Sequence, residues 1–145
     1  MIKIVCVGKI KEKYLIELIN DYLNRINKYH KINIIELKDN DIKSESNEIL
    51  NTLNTKDYNI LLDIKGEEYN SIEFSKLIDN IFTNINSNIT FIIGGSYGLH
   101  PDIKALSNYK LSFSKMTFPH QLFRVILLEQ IYRAFKINNN ETYHK

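Results

Sequence analysis

Hydrophobic positions fall into short blocks whose spacing switches back and forth along the chain. Ile2 to Val7 is an almost unbroken apolar run rich in β-branched residues, which predicts a strand buried on both faces. Leu15, Leu18, Ile19, Tyr22, Leu23 and Ile26 then recur at steps of three and four, predicting a helix with one apolar face. Ile32 to Leu37 predicts a second strand. After the polar stretch Lys38 to Ser46, a short, weak helix carries Ile49, Leu50 and Leu53. Tyr58 to Ile64 predicts a third strand, ended by Gly66. Asn70 and Glu73 stand three apart as in a capping box, where each side chain takes up an orphan backbone N–H. Behind them Phe74, Leu77, Ile78, Ile81, Phe82 and Ile85 keep helical spacing. Ile89 to Ile93 predicts a fourth strand running into Gly94-Gly95-Ser96-Tyr97-Gly98. A short helix from Pro101 to Leu106, a fifth strand from Lys110 to Phe113 and a last helix from near Pro119 to about Ile137 complete the pattern.

Alternating strands and helices, with strands apolar on both faces, predict a single α/β domain over residues 1–145: a parallel sheet with helices on both sides. Ligands of such sheets bind beyond the C-terminal strand ends. Here those ends are Asp63 to Gly66, Gly94 to Gly98 and Ser114 to Thr117. The last helix is apolar on nearly every side, through Leu122, Phe123, Val125, Ile126, Leu127, Leu128, Ile131, Tyr132 and Phe135. A helix apolar all round is buried all round. A sheet covers one face, so a second copy of the chain is the simplest cover for the rest, predicting a twofold homodimer through this helix. The alternative is a helix sunk in its own core.

Composition narrows the class. The 145 residues are one domain's length, and 43% hydrophobic with 25% charged residues is a globular mixture. The single cysteine, Cys6, excludes an internal disulfide framework and a multi-cysteine zinc site. No apolar run approaches the ~20 residues of a membrane span, and the N-terminal stretch lacks a secretory pattern, so a cytoplasmic protein with no membrane partner is expected. Net charge is +2, unevenly spread: residues 1–97 hold 12 basic and 14 acidic side chains, residues 98–145 hold 7 and 3. The C-terminal third is the part suited to a polyanion.

The glycine cluster after the fourth strand is neither a dinucleotide fingerprint nor a Walker loop, but its missing side chains let backbone amides approach a ligand. In Leu111 to His120, short polar residues alternate with apolar ones just before Pro119, offering hydroxyls and backbone donors between Phe113, Met116 and Phe118 as walls. His30, His100, His120 and His144 have no metal-ligand spacing, so no metal is expected. His120 and His144 are the candidate proton acceptors.

Several blocks stand together in order: Val7-Gly8-Lys9 with Lys11-Glu12-Lys13-Tyr14, Ile92 through Leu99, Leu111 through His120, Arg133-Ala134-Phe135-Lys136, and Tyr143-His144-Lys145. Across nearly the whole chain they resemble the RlmH-type SPOUT methyltransferases. The resemblance implies methyl transfer from S-adenosylmethionine to N3 of a pseudouridine in 23S ribosomal RNA on assembled ribosomes. It also implies a C-terminal trefoil knot and a homodimer. By position it assigns cofactor binding to Leu62, Gly94, Phe113, Ser114, Lys115, Met116, Thr117 and Phe118, with Gly95 and Leu111 in the same cleft. It places Tyr143 and His144 beside the target base, reached across the dimer, with Arg133 and Lys136 on RNA phosphates. His144 is the first candidate base and His120 the second. Three readings compete with it: a flavodoxin-like binding module, a SPOUT enzyme acting on transfer RNA, and a dimeric RNA-binding protein without catalysis.

Overall fold

Strand β1 (Ile2–Val7) is followed by α1 (Lys13–Ile26), β2 (Ile32–Leu37), α2 (Ile42–Thr52), β3 (Tyr58–Glu68), α3 (Ser71–Asn80), β4 (Ile89–Ile93), α4 (Pro101–Leu106), β5 (Tyr109–Ser112) and α5 (His120–Asn138). The computed structural model describes residues 1–95 and 98–145; Ser96 and Tyr97, named above with the glycine cluster, lie outside the described residues. All strand pairings in the sheet are parallel, in the order β2-β1-β4-β3-β5. Central β4 is buried along its whole length. One sheet face, with Ile4, Cys6, Ile60 and Phe91, packs on α1, α3 and α5 through Ile19, Ile78, Leu128 and Ile131. The other, with Val5, Val7, Leu61 and Ile92, packs on Ile49 of α2 and Ile103 of α4. The expected α/β/α layering is present, and so is the Asn70–Glu73 capping box.

Three local expectations need correction. Gly66 does not end the third strand, which runs on to Glu68. The β3–β5 register slips between Leu62 and Glu67, so Leu111 pairs with both. Gly66 is there because β5 lies against it: a Cβ would sit 2.7 Å from the carbonyl carbon and oxygen of Lys110. The third helix keeps α geometry only to Asn80, then closes with one π turn, Ile81–Ile85, stopped by Asn86 at a left-handed φ of 56°. Leu18 stays 41% exposed because it lies at the edge of the α1 apolar arc.

The reasoning about the last helix also changes. Helix α5 lies against both α1 and α3, and Val125, Leu127, Leu128, Ile131, Tyr132, Ala134 and Phe135 are buried within one chain. Tyr29 stacks on Phe135 at 5.7 Å and Tyr22 meets Tyr132 at 6.3 Å. The chain itself therefore supplies most of the cover expected from a second copy; Leu122, 41% exposed, is the large apolar side chain of α5 that remains open.

Cys6 is fully buried in β1, and burial pushes its thiol up to about 12. The reactive thiolate is thus withheld in the folded state. Alkylation at pH 8 is expected to be negligible in native protein and complete in denaturant, read by mass spectrometry; rapid labelling of native protein would contradict this burial.

Candidate active site

The C-terminal ends of β3, β4 and β5 enclose a cavity of about 290 Å³. Nine of the ten residues expected to hold a cofactor line it: Leu62, Gly94, Gly95, Leu111, Phe113, Ser114, Met116, Thr117 and Phe118. Lys115, the tenth, is exposed and is not part of the lining. Both glycines sit in crowded places. A Cβ on Gly94 would meet the Leu99 side chain at 2.8 Å and the Gly98 carbonyl at 3.2 Å. One on Gly95 would meet the buried Glu45 carboxylate at 3.1 Å. Burial raises the Glu45 carboxyl above the ordinary range.

Residues 113–119 form the opposite wall and are tied to themselves. The Ser112 hydroxyl donates to the Ser114 carbonyl at 2.9 Å, and the Ser114 hydroxyl accepts the Met116 N–H at 3.0 Å. Phe123 packs edge-on to Phe113 at 5.2 Å and stacks with Phe118 at 6.1 Å, so the first turn of α5 braces this loop. The floor is apolar; charge enters at Asp63 and Lys104, paired at 3.8 Å, and His120 completes the lining. Lys104, Leu99 and Phe123 were not among the residues expected to hold the cofactor. Only the fold shows that α4 and α5 reach the same cleft.

The other expected catalytic residues lie elsewhere. Arg133 is 13 positions beyond His120 on α5, about 20 Å along the helix axis. Its Nε donates to Glu129 at 3.0 Å and its Nη1 to His144 Nδ1 at 3.1 Å. The Tyr143 ring lies 4.8 Å from the Arg133 guanidinium and meets Tyr132 edge-on at 5.0 Å, while its hydroxyl donates to Glu129 at 3.1 Å. Burial, together with the Glu129 charge, pushes the Tyr143 phenol up to about 12, so it stays protonated at neutral pH and can donate but not act as base. With Nδ1 accepting from Arg133, the His144 proton sits on Nε2; to take another proton the ring must give up that contact. Lys136, expected on phosphate, is paired with Glu141 at 2.8 Å. The structure thus gathers Arg133, Tyr143 and His144 into one cluster and His120 into the cleft, but does not join the two within one chain.

Arg124, absent from the sequence reading, is 1% exposed on α5. It donates to Glu36 at 2.8 Å, to the Val7 carbonyl at 2.7 Å and to the Gly8 carbonyl at 2.8 Å. Its signal was a charged residue set within the apolar run Leu122-Phe123 and Val125-Ile126-Leu127-Leu128.

With this geometry in view, the chain can be set beside known proteins. The family model described as predicted SPOUT methyltransferase matches residues 1–144. Curated relatives called ribosomal RNA large subunit methyltransferase H are 53% identical in Clostridium botulinum (strain Alaska E43 / Type E3) and 48% identical in Clostridium acetobutylicum. Each alignment covers 99% of both chains. The chain belongs to this family of SPOUT methyltransferases. A probable methylase family protein from Haemophilus influenzae Rd KW20 superposes with a TM-score of 0.56 at 9% identity, over 99% of this chain and 70% of that one, a likeness of fold alone. Among the described residues no helix is long and apolar enough to cross a membrane.

Proposed function

We propose that this methyltransferase transfers the methyl group of S-adenosylmethionine to N3 of a pseudouridine in 23S ribosomal RNA, on assembled ribosomes in the cytoplasm, as a homodimer. The observation that carries the reading is the convergence of nine expected cofactor residues on one cavity at the strand ends. The clostridial relatives, named for large-subunit ribosomal RNA, support the substrate class. A trefoil knot formed by β5 and the loop after it is part of this reading.

The cavity suits the cofactor: glycine backbone on one side, hydroxyls and aromatic rings on the other, no metal ligands needed. Bound there, S-adenosylmethionine supplies an electrophilic methyl carbon on sulfur. The protein's task is then positioning: N3 must approach in line behind that carbon, and its proton must leave. Because the tail cluster stands about 20 Å from the cleft along α5, one copy's tail completes the other copy's cleft. Tyr143 donates a hydrogen bond to the base, Arg133 faces its phosphate, and His144, released from Arg133, takes the N3 proton; His120 is the second candidate for that role.

Labelled methyl from S-adenosylmethionine is expected in large-subunit RNA, most strongly with assembled ribosomes and not with bulk transfer RNA. Label in transfer RNA would overturn the substrate; no label with cofactor bound would leave a silent RNA-binding relative. His144→Ala is expected to cut turnover by about 100-fold or more with cofactor affinity unchanged. Turnover near wild type would remove His144 from the base role.

A further inference from the structure

We propose that the β1–α1 loop and the first turn of α1, with Lys9, Lys11, Lys13 and Tyr14, form an RNA-docking arm that grips backbone phosphates and stacks one base beside the cleft. The inference rests on the ribosomal RNA reading above.

Three observations meet in this loop. First, its cations are uncommitted. Lys9, Lys11 and Lys13 are exposed, and among the described residues their ammonium groups have no ion pair. Of the α5 cations expected on phosphate, Arg133 shares its charge with Glu129 and Lys136 with Glu141, so each offers less net charge than the loop lysines. Glu12 lowers the net charge of residues 9–13 only to +2. Tyr14 follows at 69% exposure, a flat ring with no core role. Cations interleaved with an exposed ring suit a single-stranded or splayed nucleic acid.

Second, the loop is rigid where its backbone matters. Gly8 turns the chain at a left-handed φ of 87°, its N–H donates to the Leu37 carbonyl at 2.8 Å, and Arg124 holds the Val7 and Gly8 carbonyls. The Ile10 N–H donates to Glu36 at 3.1 Å and its side chain is buried. Lys9 and Lys11 therefore stand outward on either side of an anchored residue, an arrangement that costs little ordering entropy on binding.

Third, the loop is beside the site. Strand β1 pairs with β4, and a Val7 methyl lies 3.2 Å from where a Gly95 side chain would begin. The arginine that pins the loop follows His120 by one helical turn and adjoins Phe123, both in the cleft wall.

The test is binding and methylation of large-subunit ribosomal RNA in ribosomes by Lys9→Gln/Lys11→Gln/Lys13→Gln. A control carries the same charge change at the opposite end of the sheet, Lys28→Gln/Lys31→Gln/Lys56→Gln. The loop variant is expected to raise KM at least tenfold with kcat and cofactor affinity retained, and to lower the slope of log affinity against log salt by about 2. Tyr14→Leu is expected to weaken binding about tenfold while Tyr14→Phe does not. A loop variant with wild-type KM and salt slope, or one matched by the control, overturns the docking arm while leaving the enzyme's function in place. Wild-type protein that neither binds nor methylates ribosomal RNA overturns both readings.

Discussion

Arg124→Ala is expected to lose about 3–5 kcal/mol of unfolding free energy, measured as a fall in urea midpoint at unchanged slope. The arginine spans three acceptors: the Val7 carbonyl at the end of β1, the Gly8 carbonyl just after it and the Glu36 carboxylate on β2, which also receives the Ile10 N–H. Truncation removes the fork and leaves the Val7 and Gly8 carbonyls without their donor in a place water reaches poorly; each such group costs about 1–3 kcal/mol. Arg124→Lys should recover only part of the loss, because one ammonium cannot reproduce a planar fork that reaches all three partners. Arg124→Met should also fall well short of wild type, since the backbone carbonyls cannot be replaced along with their partner. A loss under about 1 kcal/mol for alanine would mean that water or a neighbour takes over these contacts and that the loop after β1 is not held by α5.

The same residue shows where sequence reasoning reaches its limit. Periodicity records apolar positions, so it found every strand, the short α4 with its bounds at Pro101 and Leu106, and the capping box at Asn70. Those features depend on residues within a few positions of one another. The strand-end rule then located the cleft, because parallel α/β sheets gather their loops at one edge whatever the details. Arg124 was passed over because a polar residue in an apolar helix has no period of its own; its partners lie 88, 117 and 116 positions away. The tail differs: Glu129 stands one helical turn before Arg133 and Glu141 five positions after Lys136, so both pairings lay within reach of local spacing, and only the Tyr29 contact with Glu141 needed the fold. For helix α5 the sequence pattern left open whether a second chain or the chain's own core covers it; α1 and α3 provide most of the cover and Leu122 stays open.

Gly66→Ala is expected to weaken S-adenosylmethionine binding at least tenfold and to lower stability by about 1–3 kcal/mol, although Gly66 is not part of the cavity lining. The added carbon would stand 2.7 Å from the Lys110 carbonyl carbon and oxygen and 2.8 Å from the Leu111 nitrogen, all of them backbone atoms that cannot rotate aside. Strand β5 must move to admit it, and β5 leads directly into the wall at Phe113 to Phe118. Leu111, pinned between Leu62 and Glu67, carries the displacement to the cleft. Gly98→Ala separates this steric effect from a conformational one. Gly98, which lines the cleft, has a left-handed φ of 77° but no protein atom within 4 Å of its would-be Cβ, so its stability cost is about 1–2 kcal/mol of backbone strain without a collision inside the protein. Isothermal titration with the cofactor and urea unfolding of both variants would read the two costs separately. If Gly66→Ala binds as wild type does, the approach of β3 to β5 is not what sets the cleft wall, and the loop's own hydrogen bonds at Ser112 and Ser114 must hold it alone.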